Sequence, residues 1–459
     1  MIHINDLFTK YDYAVPRYTS YPPANHFNQS LDTDDYIRFI KESNNCEPQN
    51  ISVYIHIPFC KKLCYYCGCN SHIMQKEDVI DKYINSVIIE INNSTEYIDK
   101  KRNLSQIHFG GGTPNSIDSR YLNSLVKLLL SKFSTIDKPE IAIELNPSLL
   151  TYEYIDSLIE IGFNRFSLGI QDFDQTVLEN VNRDSSVIPI GDIVDYIKNK
   201  ISDATVNFDF IYGLPGQSVE SFLKTIDTAV SLKPDRLVTF SYAHVPWMNK
   251  NQLYLETKGL PLAENKVEMF RSSKEHLLKN DYHPIGLDHY VLKKDELYTA
   301  SINYDLHRNF QGYCTRRTTG QVYAFGVSSI SQFERSYIQN IKDISAYIKS
   351  INDIGYAFTK CYNLSNSELI IREVINHLMC NLEFNPARLS ELRSIPEEII
   401  WNNIRFRQEN LKIFEDDNII ERNQKNFKIK DNGLLFIRNV AAELDPNFER
   451  ADNLYSKPV

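Results

Sequence analysis

Apolar and polar side chains alternate over several short stretches, and stretches with helical periodicity lie between them. The alternation is clearest in ISVYIHI, residues 51–57. A period of two predicts a β-strand, and it recurs near residues 52–57, 106–109, 140–145, 165–171, 205–211 and 236–242. Strands that alternate with helices favour parallel βαβ units. The pattern therefore predicts an α/β fold with six units, either an open sheet or a partial (β/α)6 barrel.

The pattern changes at both ends of this region, which predicts three parts. Residues 1–45 are predicted to form an N-terminal arm and a helix, residues 46–290 the barrel, and residues 291–459 a mostly helical C-terminal domain. The last part contains a helix, a hairpin and another helix, typical of a winged-helix layout. That layout can bind DNA, but the net charge is −9 and no basic stripe is present. We therefore expect a structural role and no nucleic-acid partner.

Composition narrows the class of protein. The chain has 459 residues, of which 42% are apolar and 24% charged. It contains no long uncharged apolar run, so no membrane span is predicted. The N-terminus lacks the basic and apolar layout of a signal peptide, and clustered cysteines without one suggest a reducing compartment. We therefore expect a cytoplasmic enzyme.

Four of the eight cysteines, Cys60, Cys64, Cys67 and Cys69, lie within ten residues directly after the first predicted strand. Thiolates in such a loop suit zinc or an iron–sulfur cluster. A zinc site usually draws on a second cysteine pair or on histidine. No second CxxC follows, and His72 has no partner at finger spacing. The CxxxCxxC spacing favours a [4Fe–4S] cluster held by the first three cysteines, with one iron left open.

Unusual residues recur where the predicted strands end. They are Gly110–Pro114, Glu144 and Asn146, Gln171 and Asp172, Asp209, and Tyr242–His244. The carboxyl ends of barrel strands carry the active site in α/β barrels, so these residues are predicted to converge on one mouth. The glycines would let the backbone approach a ligand, although a tight turn explains them equally well. Glu144 would need a partner at its strand end, either a ligand group or a neighbouring arginine, and Asp209 is interpreted in the same way.

Several motifs together identify a resemblance. With Tyr66 before the third cysteine, CxxxCxxC resembles the radical S-adenosylmethionine (SAM) motif. The more specific motifs are PRYTSYP, VYIHIPFCKKLCYYCGCN, IHFGGGTP, GFNRFSLGIQDF, VNRD, DFIYGLPGQ, RLVTFSYAH, IGLDHY, HRNFQGY and FGVSSIS. In this order they resemble the oxygen-independent coproporphyrinogen III oxidase (coproporphyrinogen dehydrogenase) family, over nearly the whole chain.

The resemblance implies a partial barrel of the radical SAM type, an arm over its mouth and a helical C-terminal domain. It implies an oxidoreductase that converts two propionates of coproporphyrinogen III to vinyl groups, giving protoporphyrinogen IX in haem biosynthesis. The implied cofactors are a [4Fe–4S] cluster and two SAM molecules, one of which would be cleaved to a 5′-deoxyadenosyl radical. An electron donor such as a flavodoxin or ferredoxin is also implied, and we expect a monomer.

The resemblance also assigns residues. Cys60, Cys64 and Cys67 would hold the cluster, with Cys69 beside it as a catalytic residue. Contacts to SAM are implied for Tyr54, Tyr66, Gly111, Gly112, Thr113, Glu144, Gln171, Arg183, Asp209, Ala243 and Ile330. Of these, Tyr54, Gly111, Glu144 and Ile330 would contact the cluster-bound SAM, and Gly112, Thr113, Gln171, Arg183, Asp209 and Ala243 the second. Candidates for orienting propionates or SAM are Arg17, Arg183, His307, Arg308 and Gln311.

One segment departs from the family pattern, and two related functions stay open. The loop at residues 314–323 is longer than usual and carries Arg316 and Arg317. A haem chaperone and a haem-degrading radical SAM methyltransferase belong to the same superfamily. The chaperones usually lack the fourth cysteine and the PRYTSYP arm, and the methyltransferase lacks HRNFQGY, so both are the weaker alternatives.

Overall fold

A computed structural model describes residues 4–449 and 455. Its α-helices are Ile4–Tyr11 (α1), Thr33–Ser43 (α2), Glu77–Thr95 (α3), Ser119–Lys132 (α4), Tyr152–Ile161 (α5), Gln175–Asn180 (α6), Ile190–Lys200 (α7), Val219–Ser231 (α8), Leu253–Thr257 (α9), Ala263–Lys279 (α10), Glu296–Ile302 (α11), Arg316–Thr319 (α12), Ile344–Ile354 (α13), Asn366–Asn381 (α14), Pro386–Arg393 (α15), Glu397–Asn403 (α16), Gln408–Asp416 (α17) and Ile437–Leu444 (α18). In this described part, no helix is both long enough and apolar enough to cross a bilayer.

The β-strands are Ile51–Ile57 (β1), Phe59–Cys60 (β2), His72–Ile73 (β3), Leu104–Gly111 (β4), Thr135–Leu145 (β5), Arg165–Gln171 (β6), Thr205–Tyr212 (β7), Arg236–Ser241 (β8), His283–Ile285 (β9), His289–Val291 (β10), Leu306–Asn309 (β11), Gly312–Thr315 (β12), Val322–Phe325 (β13), Ile330–Gln332 (β14), Ser336–Asn340 (β15), Phe358–Asn363 (β16), Glu383–Phe384 (β17), Ile420–Asn423 (β18) and Asn426–Ile429 (β19). Short 3₁₀ helices lie at Ala24–His26, Pro114–Ser116, Pro147–Leu149, Lys250–Gln252 and Asp431–Phe436.

A twelve-stranded sheet organises the molecule. Its order is β16-β15-β14-β13-β1-β4-β5-β6-β7-β8-β10-β9. The strands from β13 to β8 in this order are parallel, and the others pair antiparallel. β1, β4, β5, β6, β7 and β8 are the six predicted strands, so the predicted α/β class is confirmed. Because helices join these strands, all six present their carboxyl ends at the same mouth.

The chain beyond residue 290 contributes to two substructures. Strands β13–β16 extend the large sheet beyond β1. Helices α14–α18 and the small sheet β17-β19-β18 form the second substructure, with the helix–hairpin–helix order expected of a winged-helix layout. Strands from both sides of residue 290 share one sheet. The division of the chain into domains at 46–290 and 291–459 stays a prediction.

The N-terminal arm packs against the C-terminal region. The hydroxyls of Tyr18 and Tyr21 donate to the Asp445 carboxylate at 3.1 and 2.7 Å. The Phe27 ring stacks on Tyr337 with centroids 5.1 Å apart. Chain segments more than 300 residues apart in sequence are thereby joined, which holds the arm in one place.

A buried carboxylate fixes the turn that leads into β14. Glu90 on α3 accepts hydrogen bonds from the backbone N–H of Gly326 at 3.0 Å, from Asn340 Nδ2 at 2.6 Å and from the Tyr347 hydroxyl at 2.6 Å. Only 1% of Glu90 is exposed. Burial raises the pKa of Glu90 from 4.5 to about 7 despite these donors. The turn continues into residues 328–330, which line the site described below.

Replacing Glu90 by glutamine should change how stability depends on pH. Between about pH 4.5 and 7 the unfolded chain ionises Glu90 while the folded protein keeps it protonated, so stability falls as pH rises through this window. The expected loss is about 3 kcal/mol for the wild type. Denaturant unfolding of both proteins from pH 4.5 to 8 measures it. An equal slope in Glu90→Gln would show that other groups cause the dependence.

Candidate active site

Two adjoining cavities open at the carboxyl ends of the parallel strands. The cysteine cavity, about 170 Å³, is lined by Cys60, Lys62, Leu63, Cys64, Tyr66, Cys67, Cys69, Ser71, Gly111, Gly112, Thr113, Glu144, Leu145, Asn146, Ser167, Gly169, Gln171, Arg183 and Asp209. The hairpin cavity, about 380 Å³, is lined by Tyr54, His56, Gly68, Cys69, Asn70, Gly111, Glu144, Asn309, Phe310, Gln311, Val322, Ser328, Ser329, Ile330 and Gln332. Cys69, Gly111 and Glu144 line both, so the cavities share one wall.

The three predicted ligand cysteines face the same cavity. Cys60 is buried at the end of β2, and its Sγ lies 3.3 Å from Thr113 Oγ1. Arg183 Nη1 lies 3.6 Å from Cys64 Sγ and can donate to it. A hydrogen bond with Cys69 lowers the pKa of Cys67 to about 6. Burial raises the pKa of Cys60 to about 11, although the hydrogen bond with Thr113 opposes this.

The donor set has the chemistry of an iron–sulfur cluster. Cys60, Cys64 and Cys67 all line the cysteine cavity, and a [4Fe–4S] cluster takes cysteine thiolates as ligands of its separate irons. The backbone packs closely behind the first cysteine, because a Cβ on Gly112 would lie 3.0 Å from Cys60 Sγ and 2.6 Å from the Pro58 carbonyl oxygen. Gly111 has φ +118°, a conformation that favours glycine.

Glu144 has a histidine partner instead of an arginine. Its Oε1 lies 3.0 Å from His108 Nε2, and 44% of the Glu144 side chain is exposed to the cavities. A Cβ on Gly110 would lie 2.6 Å from the same oxygen. Glu144 thus keeps accessible carboxylate surface on the wall shared by both cavities. His56 is satisfied locally by Tyr54 and the Asn70 carbonyl.

We expect Glu144→Ala to weaken SAM binding more than it weakens the fold. The accessible carboxylate can accept from an ammonium or a ribose hydroxyl, whereas packing explains little of its position. Equilibrium SAM binding and thermal unfolding of the reconstituted protein provide the two readouts. His108→Ala is the matched control, since it removes the partner and keeps the carboxylate. A lower melting temperature with unchanged SAM affinity would make Glu144 a structural residue.

A second group of predicted residues surrounds Arg183. Besides Cys64, Arg183 contacts the Tyr66 hydroxyl at 3.3 Å and the Gly169 carbonyl. Asp209 accepts from Ser167 Oγ at 2.7 Å and Asn207 Nδ2 at 2.8 Å, and burial raises its pKa. Together with Gln171, Gly112 and Thr113, these side chains line the cysteine cavity. Ala243 follows β8 and lines neither cavity.

The β11–β12 hairpin contributes a residue that sequence analysis missed. Asn309 is 1% exposed and lines the hairpin cavity, and its Oδ1 accepts from the Gln311 N–H at 2.8 Å. Its Nδ2 has no partner among the described residues, and the same holds for Gln311 Nε2 and Arg308 Nε. Three buried donors on one hairpin favour an acceptor, such as a carboxylate, as the ligand group. The neighbouring HRNFQGY motif was the available signal for Asn309.

Two predicted arginines belong to a cluster of four cations. Arg308 Nη1 donates to the Arg17 carbonyl oxygen at 2.7 Å, which joins the hairpin to the arm. Arg17 is solvent-accessible, yet burial by surrounding protein and the charge of Arg308 lower its pKa. Burial and, to a smaller extent, the positive charges of Arg17 and Arg308 lower the pKa of Arg438 on α18 to about 9. Burial lowers the pKa of Lys266 on α10 to about 8, with Arg17 and Arg438 adding to the effect.

Lys266 and Arg438 were not predicted, because nothing near them in sequence marks them as functional. They lie on amphipathic helices, where a cation is usually a surface residue, but both are almost completely buried. Asp288 adds a negative charge to the same group, and its pKa is lowered although burial opposes this. Positive charge nevertheless predominates, so the cluster favours an anionic ligand.

Two candidates have structural partners. His307 is buried, with its ring nitrogens 3.0 Å from Gln332 Nε2 and 2.9 Å from Asn376 Nδ2, and burial lowers its pKa to about 3. A neutral imidazole held between two amides supports the hairpin, and a role for His307 in orienting propionates stays a prediction. Arg316 forms a bidentate ion pair with Glu373 at 2.8 and 3.0 Å, so the longer loop anchors α12 to α14. The side chain of Arg317 lies outside the described part.

Comparisons with known proteins agree with this geometry. The model of the radical SAM superfamily matches residues 54–229. The chain is 35% identical to an oxygen-independent coproporphyrinogen III oxidase of Synechocystis, over 96% of this chain and 94% of the relative. It is 34% identical to the Escherichia coli protein of that name, over 96% and 94% of the two chains.

A solved structure extends the comparison to three dimensions. The coproporphyrinogen III oxidase HemN from Escherichia coli, described as a radical SAM enzyme, superimposes with a TM-score of 0.85 at 31% identity. The match covers 97% of this chain and 99% of that one. The similarity therefore includes the arm, the barrel and the C-terminal region.

Proposed function

This chain belongs to the family of oxygen-independent coproporphyrinogen III oxidases, and from that premise we propose that it converts two propionate side chains of coproporphyrinogen III to vinyl groups. The product is protoporphyrinogen IX, in haem biosynthesis. The protein is a radical SAM oxidoreductase. The arrangement that carries the substrate assignment is the cation cluster of Arg17, Lys266, Arg308 and Arg438, next to the hairpin that lines the cavity of Cys69.

Electrostatics favours this substrate. Coproporphyrinogen III carries four propionates, and burying them requires charge-assisted donors. The net charge of −9 gives no bulk attraction, so local cations must supply it. Arg17 and Arg308 lie on different segments joined by one hydrogen bond, and Asn309 follows Arg308 with an unpartnered donor. Asn309 lines the hairpin cavity, so these residues can hold propionates at the hairpin side of that cavity.

Each residue group has a defined task in the proposed reaction. Cys60, Cys64 and Cys67 would hold the cluster, while Arg17 and Arg308 would orient propionates. When bound, the cluster and SAM would supply the chemistry that removes a hydrogen atom from the propionate β-carbon, and each decarboxylation would release CO2 and pass one electron to a one-electron acceptor. The arm between the hairpin and Asp445 would limit the access of water to the mouth.

The residues of the two proposed SAM sites line different cavities. Tyr54, Glu144 and Ile330 line the hairpin cavity, where the SAM that binds the open iron is proposed to lie. Gln171, Arg183 and Asp209 line the cysteine cavity and are proposed to contact the second SAM. Gly111 and Cys69 lie between them. Ala243 lines neither cavity, so its proposed contact rests on the family resemblance alone.

Anaerobic incubation of the reconstituted protein with coproporphyrinogen III, SAM and dithionite tests the proposal. Mass analysis should show loss of two CO2 and formation of two vinyl groups. Haem binding without decarboxylation would favour a chaperone, and methyl transfer to added haem would favour the haem-degrading methyltransferase. Either result would replace the proposed activity.

A further inference from the structure

A short segment covers the outside of the cysteine loop. We call residues 244–258 the cover segment; it contains the 3₁₀ helix Lys250–Gln252 and α9. Asn249 Nδ2 donates to the Cys67 carbonyl at 2.7 Å, and Gln252 Nε2 donates to the Tyr66 carbonyl at 3.2 Å. Gln252 is buried. The cover segment is therefore fixed directly to the backbone that carries the third ligand cysteine.

The outer side of this segment exposes large apolar side chains. Trp247 is 48% exposed, Met248 76% and Tyr254 44%. The Tyr254 ring lies 4.8 Å from that of Tyr65, a residue of the cysteine loop, so the exposed aromatics continue onto that loop. Exposed apolar side chains grouped in this way mark interaction sites.

The same surface carries positive charge on an otherwise acidic protein. Residues 61–72 and the cover segment together contain four lysines and one glutamate, against a net charge of −9 for the chain. The glutamate, Glu256, is bound to His244 at 2.8 Å. Lys62 pairs with Asp184, whereas Lys61, Lys250 and Lys258 form no ion pair with any described residue. An acidic partner would be complementary to this surface.

We propose that the cover segment and the adjoining cysteine loop form the docking surface for a small acidic one-electron carrier of the flavodoxin type. This inference rests on the proposed function, because a cluster held by Cys60, Cys64 and Cys67 must receive one electron per turnover. The carrier loses one electron, the cluster gains it, and no atom or proton is transferred. Flat aromatic side chains such as Trp247 and Tyr254 fit the apolar exposed edge of a flavin.

The path to the cluster is short at this surface. The Asn249 side chain connects the cover segment to the carbonyl of Cys67 through one hydrogen bond. The Gln252 side chain likewise donates a hydrogen bond to the carbonyl of Tyr66, the residue before Cys67. A carrier docked on Trp247 and Met248 would therefore lie against the segment that is hydrogen-bonded to the backbone of Cys67. The substrate would use the other side, where the hairpin and the arm meet.

Charge reversal on the cover segment tests the proposal. We expect Lys250→Glu/Lys258→Glu to weaken binding of a purified flavodoxin about tenfold or more at low salt, because like charges then face each other. Calorimetric titration measures this binding without turnover. Stopped-flow oxidation of the flavin hydroquinone by the reconstituted protein should slow in parallel. Product formation driven by dithionite should stay at the wild-type rate.

A matched control separates docking from net charge. Lys127→Glu/Lys224→Glu changes the charge equally on the outer helices α4 and α8 and should leave flavodoxin binding unchanged. The proposal would be overturned if flavodoxin bound the cover-segment variant as tightly as the wild type, or if the control variant weakened this binding equally. It would also be overturned if the cover-segment variant weakened binding of a ferredoxin but not of flavodoxin. Failure of the proposed function has a different result, since the wild type would then make no vinyl product even with dithionite.

Discussion

Substituting Cys60, Cys64 or Cys67 by serine should abolish the visible absorbance of the cluster and all SAM cleavage. A serine hydroxyl is a poor ligand for the irons of such a cluster. Each of the three thiols lines the cysteine cavity, and Cys60 and Cys64 lie near their own donors, Thr113 and Arg183. Loss of any one therefore removes a ligand that the loop cannot replace. Iron content and SAM cleavage by dithionite-reduced protein measure the effect.

Cys69→Ser is the matched control within the same loop. Cys69 lines both cavities, which fits a position beside the cluster facing substrate and SAM. We expect this variant to assemble the cluster and to lose decarboxylation. Iron loss equal to that of the other three variants would make Cys69 a ligand and contradict the proposed division of roles.

Most of the barrel could be predicted because its signals are local. Alternation over five to eight residues marks a strand, and the residues that follow mark its end, so the six strands and their mouth follow from the sequence. Strands β13–β16 were not predicted as part of the same sheet. Their place depends on the parallel pairing of Ser52 with Val322, across 270 residues, which no local pattern encodes.

In the candidate site, too, some residues could be predicted from local sequence and others could not. Tyr54 and Ile330 were predicted from motifs and Glu144 from its place at a strand end, and all three line the same cavity. Lys266 and Arg438 line neither cavity, and they come close enough to Arg17 to affect each other's charge only because α10 and α18 fold toward the arm. An ion pair can also make a candidate ligand-binding residue structural, as the ion pair with Glu373 does for Arg316. Sequence motifs thus supply residue types, whereas tertiary packing decides which charges remain for a ligand.

The last prediction concerns the cations that would hold the propionates. We expect Arg17→Ala and Arg308→Ala each to lose vinyl formation while keeping the cluster. Removing one partner of a buried charged pair costs about 3–5 kcal/mol, which applies to the half-buried Arg308, and the loss at the solvent-accessible Arg17 is expected to be smaller. If that interaction acts in the transition state, turnover falls by at least about a hundredfold. Single-turnover product formation under anaerobic conditions, with iron content in parallel, measures the loss.

The two variants differ in a way that the structure explains. Arg17→Ala removes a charge but keeps the backbone carbonyl that Arg308 binds, whereas Arg308→Ala also frees the arm from the hairpin. Arg308→Ala should therefore show the larger loss and faster proteolysis of the arm. Arg38→Ala, on the exposed face of α2, is the control for net charge and should react at the wild-type rate. Near wild-type product formation in both active-site variants would mean that other residues hold the propionates. Lys266 and Arg438 would then be the next cations to replace, since Arg316 is already paired with Glu373.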